Sequence, residues 1–169
     1  MACLKIIGFC TLAAIVYGIL HDQITARICV EYFTIGHEPI FGTDDPTILA
    51  LGWGFIATWW MGFGLGLPAA IACRAGRSRP KLPPRRIIKP VFRLLVVMAL
   101  LVAFSGFCGY LLASAGVIRL IGPLAQAVPA DRHIAFLTDL WAHNASYASG
   151  FFGGLYLVGR FWGIRKKMN

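Results

Sequence analysis

Apolar positions fall in four long blocks along this chain. The first, residues 2–20 (ACLKIIGFCTLAAIVYGIL), is interrupted only by Lys5. At about 1.5 Å per residue, such a helix just reaches across a hydrocarbon core of roughly 30 Å if Lys5 snorkels. Ile48 to Cys73 makes the second block and Val91 to about Ile121 the third; the fourth lies within 142–162. The expected fold is all-α, an integral membrane four-helix protein in a single domain over residues 1–169. Its spans are placed near 3–20, 48–73, 91–116 and 142–162, with outer segments 21–47 and 117–141 and a basic loop at 74–90. A cleaved signal peptide is the alternative for the first block. No small-x-small site precedes His21, and bulky Phe9 spoils a lipobox before Cys10, so a retained helix is expected.

Local signals refine these elements. After Leu20 the chain turns polar without a helix breaker, while Ile24, Ile28 and Val30–Phe33 keep an apolar face. The first helix is therefore expected to run on to about Phe33 or Thr34, with Gly36 ending it. Pro39, Gly42 and Pro46 mark a loop, with Asp45 as the N-cap of the next helix and Pro46 its first residue. Trp53, Trp59 and Trp60 suit an interfacial belt, Gly62 and Gly66 form GxxxG, and Pro68 is expected to kink the lower half. From Ala130 to Trp162 no proline interrupts the chain. A helix there, like the first, is expected to extend beyond the outer face.

The second and fourth blocks align without gaps. Trp53, Ala57 and Thr58 correspond to Trp141, Ala145 and Ser146, and Gly62 and Gly66 to Gly150 and Gly154. Gly8–Phe9–Cys10 likewise corresponds to Gly106–Phe107–Cys108. Two tandem transmembrane hairpins of the same orientation are expected, their GxxxG faces meeting at the centre. Chance similarity among Gly-, Ala- and Phe-rich helices is the alternative.

Composition fits the membrane reading. Of the 169 residues 58% are hydrophobic and 14% charged, against about a quarter charged in soluble domains. A formal charge of +9 would suggest nucleic acid in a soluble protein. Here the basic residues flank apolar blocks, so membrane orientation accounts for them and no nucleic-acid partner is expected. Lys5, the Arg74–Arg93 cluster, Arg160, Arg165, Lys166 and Lys167 fall on one side, and Arg27, Arg119 and Arg132 on the other. Both termini and the basic loop are thus expected in the cytoplasm, as for a bacterial inner-membrane protein. All seven acids and all four histidines then fall on the outer side.

That sorting points to the candidate chemistry. His21, Asp22 and His143 are the expected metal ligands, with Glu31 and His37 as further ones. Asp139 precedes His143 by one helical turn and is expected to orient its ring. Tyr32, Asn144 and Tyr147 are expected to supply hydrogen bonds. Such a mixed N/O set suits zinc, copper, iron or manganese. There is no HExxH and no CxxC, so the competing reading is of interfacial polar anchors, and for His37 and His133 the structural role is favoured. Arg27 and Glu31 read as an i, i+4 bridge and Asp44 and Asp45 as capping residues. Only Cys29 among the cysteines falls on the outer side, so no intrachain disulfide is expected there.

Three function classes follow. The first is a His/carboxylate site at the outer face that binds a transition metal and acts on a membrane lipid or small molecule. The second is a small oligomeric transporter with a path lined by Asp22, Arg27, Glu31 and His143. The third is an accessory subunit docked on a larger membrane complex.

Overall fold

In a computed structural model, which describes residues 1–168, the regular structure is all helix, with no strand among those residues. The helices are α1 (Ala2–Ile28), α2 (Val30–Thr34), α3 (Pro46–Ile56), α4 (Trp59–Arg74), α5 (Arg85–Ser114), α6 (Gly122–Ala127) and α7 (His133–Lys166), with a 3-10 turn at Ala130–Arg132 before α7. Three helical stretches are long and apolar enough to cross a membrane: α1, α3 with α4 taken together, and α5. The expected fourth span, 142–162, lies inside α7. That helix has the length, but it carries His143, Asn144, Ser146 and Ser149 and is not among the three.

The start of α3 follows from its sequence. Asp45 Oδ1 accepts from the backbone N–H groups of Thr47 at 2.8 Å and Ile48 at 3.0 Å, and Pro46 fills the first turn. Elsewhere the local signals mislead. The first helix does not run through to Thr34: it breaks at Cys29, whose backbone is extended (φ −146°, ψ 95°). Arg132 holds this break from far along the chain, donating to the freed Ile28 carbonyl at 2.9 Å and to Glu31 Oε2 at 3.0 Å. The second block breaks at Ala57–Thr58, and Pro68 lies inside α4. The Thr58 hydroxyl donates back to the Gly54 carbonyl, a bond that competes with the helical ladder and bends helices.

The helices pair as two antiparallel hairpins. α1 lies along α3 and α4, α5 lies along α7, and α4 and α7 join the hairpins. The fourth side of this ring, α1 against α5, is sparsely packed. Small residues allow the close approaches. A Cβ on Gly54 would sit 2.6 Å from the Ile19 Cα, so α1 crosses α3 nearly backbone to backbone there. Gly62 faces Ala14 and Thr11, and Gly66 faces Ile7 and Cys10. Gly150 faces Met98 and Gly154 faces Leu65. The two GxxxG faces therefore do not meet at the centre: the first seats α4 on α1, while the second is divided between α5 and α4. The pairing registers also differ between hairpins. In the sequence correspondence Ala14 matches Leu112, yet Gly150 lies against Met98.

Arg165 closes the end that carries the basic loop. It is 1% exposed and donates to the carbonyls of Ala72 (2.7 Å), Ala75 (2.5 Å) and Pro80 (2.7 Å). Two of these carbonyls belong to the last turn and cap of α4, where acceptors lack helical partners and a cation is favoured. Trp162 lies beneath the Arg165 and Arg79 guanidinium groups, at 5.8 and 4.8 Å. Replacing Arg165 with Ala leaves buried carbonyls unpaired and is expected to cost roughly 2–4 kcal/mol. Thermal unfolding in detergent checks this. Lys should recover only part of the loss, because an ammonium cannot fork to all three acceptors; an Ala variant that melts like the parent would contradict this role.

Candidate metal centre

Three side chains converge where the far ends of the two hairpins meet. His21 and Asp22 stand near the end of α1, and His143 stands on α7, ten residues into the helix. Among the described residues they form the one group of three His, Cys, Asp or Glu side chains placed to hold a metal ion, with one donor atom of each within 4.8 Å of the others. Asp22 and His143 are buried. The Nε2 of His21 is enclosed and has no hydrogen-bond partner. His143 Nε2 lies 3.4 Å from Asp22 Oδ1. Two ligands of a tetrahedral ion with bonds of about 2.0–2.1 Å stand about 3.4 Å apart, so this pair already has that spacing.

The tautomer of His143 sharpens the picture. Its Nδ1 lies 2.8 Å from the backbone carbonyl of Asp139. A carbonyl only accepts, so Nδ1 carries a hydrogen and donates. In the neutral ring Nε2 is then a lone pair facing the Asp22 carboxylate and the His21 ring, whose centroid is 4.5 Å away. Acceptors turned toward one another need a cation or a proton between them. The orienting carboxylate expected from Asp139 is thus replaced by that residue's own carbonyl. The Asp139 side chain is fully buried, and neither oxygen has a partner.

Aromatic rings fix the imidazoles. Tyr32 stacks on His143 (4.3 Å, 25°), and Phe33 meets it edge-on at 5.6 Å. Tyr17 lies parallel to His21 at 6.2 Å. Tyr32 therefore holds His143 by its ring face. A cavity of about 370 Å³ adjoins the cluster, lined also by His37, Trp53, Thr58, Ser146 and Tyr147.

The remaining candidates fall elsewhere. His37 borders the cavity but is outside the three-donor group: its Nδ1 lies 2.8 Å from the Tyr32 carbonyl, and its ring packs near Trp53. Asn144 is exposed, and Tyr147 is 38% exposed at the cavity wall. Nε2 of His133 bonds the Val128 carbonyl. Arg27 bonds Gln23 and Thr47 in place of Glu31. Glu31, expected as a ligand, is taken by Arg132 at 3.0 Å and by the Cys29 thiol, which donates to it at 3.3 Å. Burial and that carboxylate push the Cys29 thiol up to about 12, so Cys29 offers no thiolate at neutral pH.

Three features of this region escape sequence reasoning. Arg132 as the tie to α2 depends on a contact between distant segments, whereas the Tyr17–His21 stack and the Thr58 hydroxyl bonded to the Gly54 carbonyl are contacts within one turn of helix. Only the composition of Tyr17, an aromatic with a polar tip one turn before His21, offered a signal. Comparison with protein-family models, curated proteins and solved structures finds no match.

The Glu31 bridge yields a test of this assignment. Burial raises the Glu31 carboxyl, but hydrogen bonds from its own backbone N–H, Arg132 and Cys29 together hold it below its usual 4.5. With the folded value lowered, the stabilisation is fully present above the unfolded value and is lost as pH falls through the folded one. On acidification from neutrality to roughly pH 3.5, the parent protein should lose more melting temperature than Glu31→Gln. Equal losses in the two proteins would remove the bridge from the account.

Proposed function

We propose that this is a multi-pass membrane protein whose α7 supplies a fourth span, and that His21, Asp22 and His143 bind one divalent transition metal at the outer face. The arrangement of the His143 ring carries the reading: its N–H is spent on a carbonyl, and its free lone pair faces Asp22 and His21. Two imidazoles and one carboxylate suit zinc, and the same donor set serves iron, copper or manganese. Three protein ligands leave a coordination position toward the cavity that adjoins the cluster. An open position is the mark of a metal that meets a substrate rather than one that only braces the fold. The metal-assisted reaction would act on a lipid or small molecule reaching that position. The distribution of Lys and Arg supports an orientation with both termini and the basic loop in the cytoplasm.

A second reading has its own observation. The fully buried, unpartnered Asp139 carboxyl lies one turn from His143, and intramembrane carboxyl–imidazole sets serve proton relays in transporters. In that reading a proton, not a metal, sits between Asp22 and His143.

Metal analysis by plasma mass spectrometry separates the two readings. Protein purified in detergent without chelator, then challenged with zinc, copper and manganese, should hold close to one equivalent of metal. The His21→Ala/His143→Ala double variant should hold none, while Glu31→Gln should match the parent. Metal-free parent protein, or a double variant that retains the ion, would defeat the metal reading.

A further inference from the structure

An apolar cavity lies apart from the three donors, between the hairpins. It takes in about 800 Å³ of space, part of it open to the surface. All four long helical stretches wall it: Ala13 from α1, Leu65 from α4, Leu94 and Met98 from α5, and Leu157 from α7 are examples. Its surface is apolar except at one end, where Tyr17, Thr58, Ser146 and Tyr147 stand. Thr58, Ser146, Tyr147 and Ala57 also line the smaller cavity at His21, Asp22 and His143. An apolar chamber thus adjoins the candidate metal centre across a shared wall, and on its side of that wall the Tyr17 hydroxyl is enclosed and without a hydrogen-bond partner.

We infer that this paired cavity binds a long-chain carboxylate, with its alkyl chain in the apolar chamber and its head at Tyr17 and the metal. The inference rests on the metal reading above. The chain follows from the lining: a space bounded chiefly by Ala, Leu, Met and Gly offers an alkyl chain burial and little else. The head follows from the polar end. The open metal position accepts an oxygen donor, and the unpartnered Tyr17 O–H donates to one. No Lys or Arg lines either cavity. A phosphate dianion is ordinarily met by such side chains, whereas a single carboxylate is matched by one divalent ion beside Asp22. The sparsely packed seam between α1 and α5 is the side on which a chain can enter from the bilayer.

Photolabelling tests this with two probes, palmitate carrying a diazirine in its chain and the methyl ester of the same molecule. The full-length protein is labelled in detergent, with zinc or with EDTA, and the sites are mapped by mass spectrometry. With zinc, the acid should label Leu94, Met98 or Leu157 several-fold above Leu100 and Phe104, which face outward on α5 at 66% and 67% exposure. EDTA and Tyr17→Phe should each reduce the inner labelling by the acid several-fold and leave the ester unchanged. Ala13→Leu and, separately, Met98→Phe should lower inner labelling while zinc content stays at the parent level, which also shows that these variants fold. Labelling confined to Leu100 and Phe104, or inner labelling indifferent to head group and zinc, overturns the inference. Zinc binding without inner labelling refutes the occupant and leaves the metal reading intact. Inner labelling that still needs the free acid and Tyr17, in protein that binds no metal, upholds the occupant and refutes the metal.

Discussion

A polar group inside an apolar bundle must find a partner or bear the full cost of leaving water. This constraint shapes both ends of the molecule. At one end Arg165 reaches across from α7 and spends its donors on carbonyls that α4 and its loop leave free. At the other, Asp22 and His143 face each other from different hairpins, while Arg132 ties the broken end of α1 to the start of α7. Between the ends, helices pack through small residues and aliphatic side chains, with a large apolar cavity left at the middle. The hairpins are thus joined chiefly by α4 against α7 and by polar clasps top and bottom.

The two clasps differ in how far they are satisfied. Arg165 makes three good hydrogen bonds, and such an arrangement rigidifies. The His21, Asp22 and His143 cluster stays short of partners: Nε2 of His21 bonds nothing, and His143 turns a lone pair toward a carboxylate. Native proteins leave few buried polar groups unpaired. Where several such groups lie within ligand distance of one another, a bound cation relieves them together. In the proposed reading, the apolar chamber that adjoins the cluster gives an ion with an open face a substrate to meet.

Much of this was legible in the sequence where the signal is local. The helical character follows from apolar blocks of which three are long and apolar enough to cross a bilayer, and the Asp45–Pro46 start of α3 follows from capping chemistry within four residues. The grouping of His21 and Asp22 with His143 was legible because polar residues adjoining an apolar block must be sheltered together. What depends on distant partners was hidden. Cys29 breaks a helix that its neighbours would continue, because Arg132, far along the chain, accepts the cost of the freed carbonyl. Glu31 looked like a ligand or an Arg27 partner on a continuous helix; the break turns it to Arg132 instead. Asp139 has the spacing to orient His143, but the backbone carbonyl at the same position reaches the ring first. The glycine repeat in α4 and α7 reads as one shared interface, yet the different pairing register of the second hairpin sends its glycines to other neighbours.

The most direct measurement of the central claim is X-ray absorption at the zinc edge on the zinc-loaded protein in detergent. A first shell of nitrogen and oxygen at about 2.0–2.1 Å is expected, with the outer-shell scattering of two imidazole rings, falling to one ring in His21→Ala. Sulfur at about 2.3 Å, or a shell of oxygen with no imidazole scattering, would contradict it by placing the ion away from His21, Asp22 and His143.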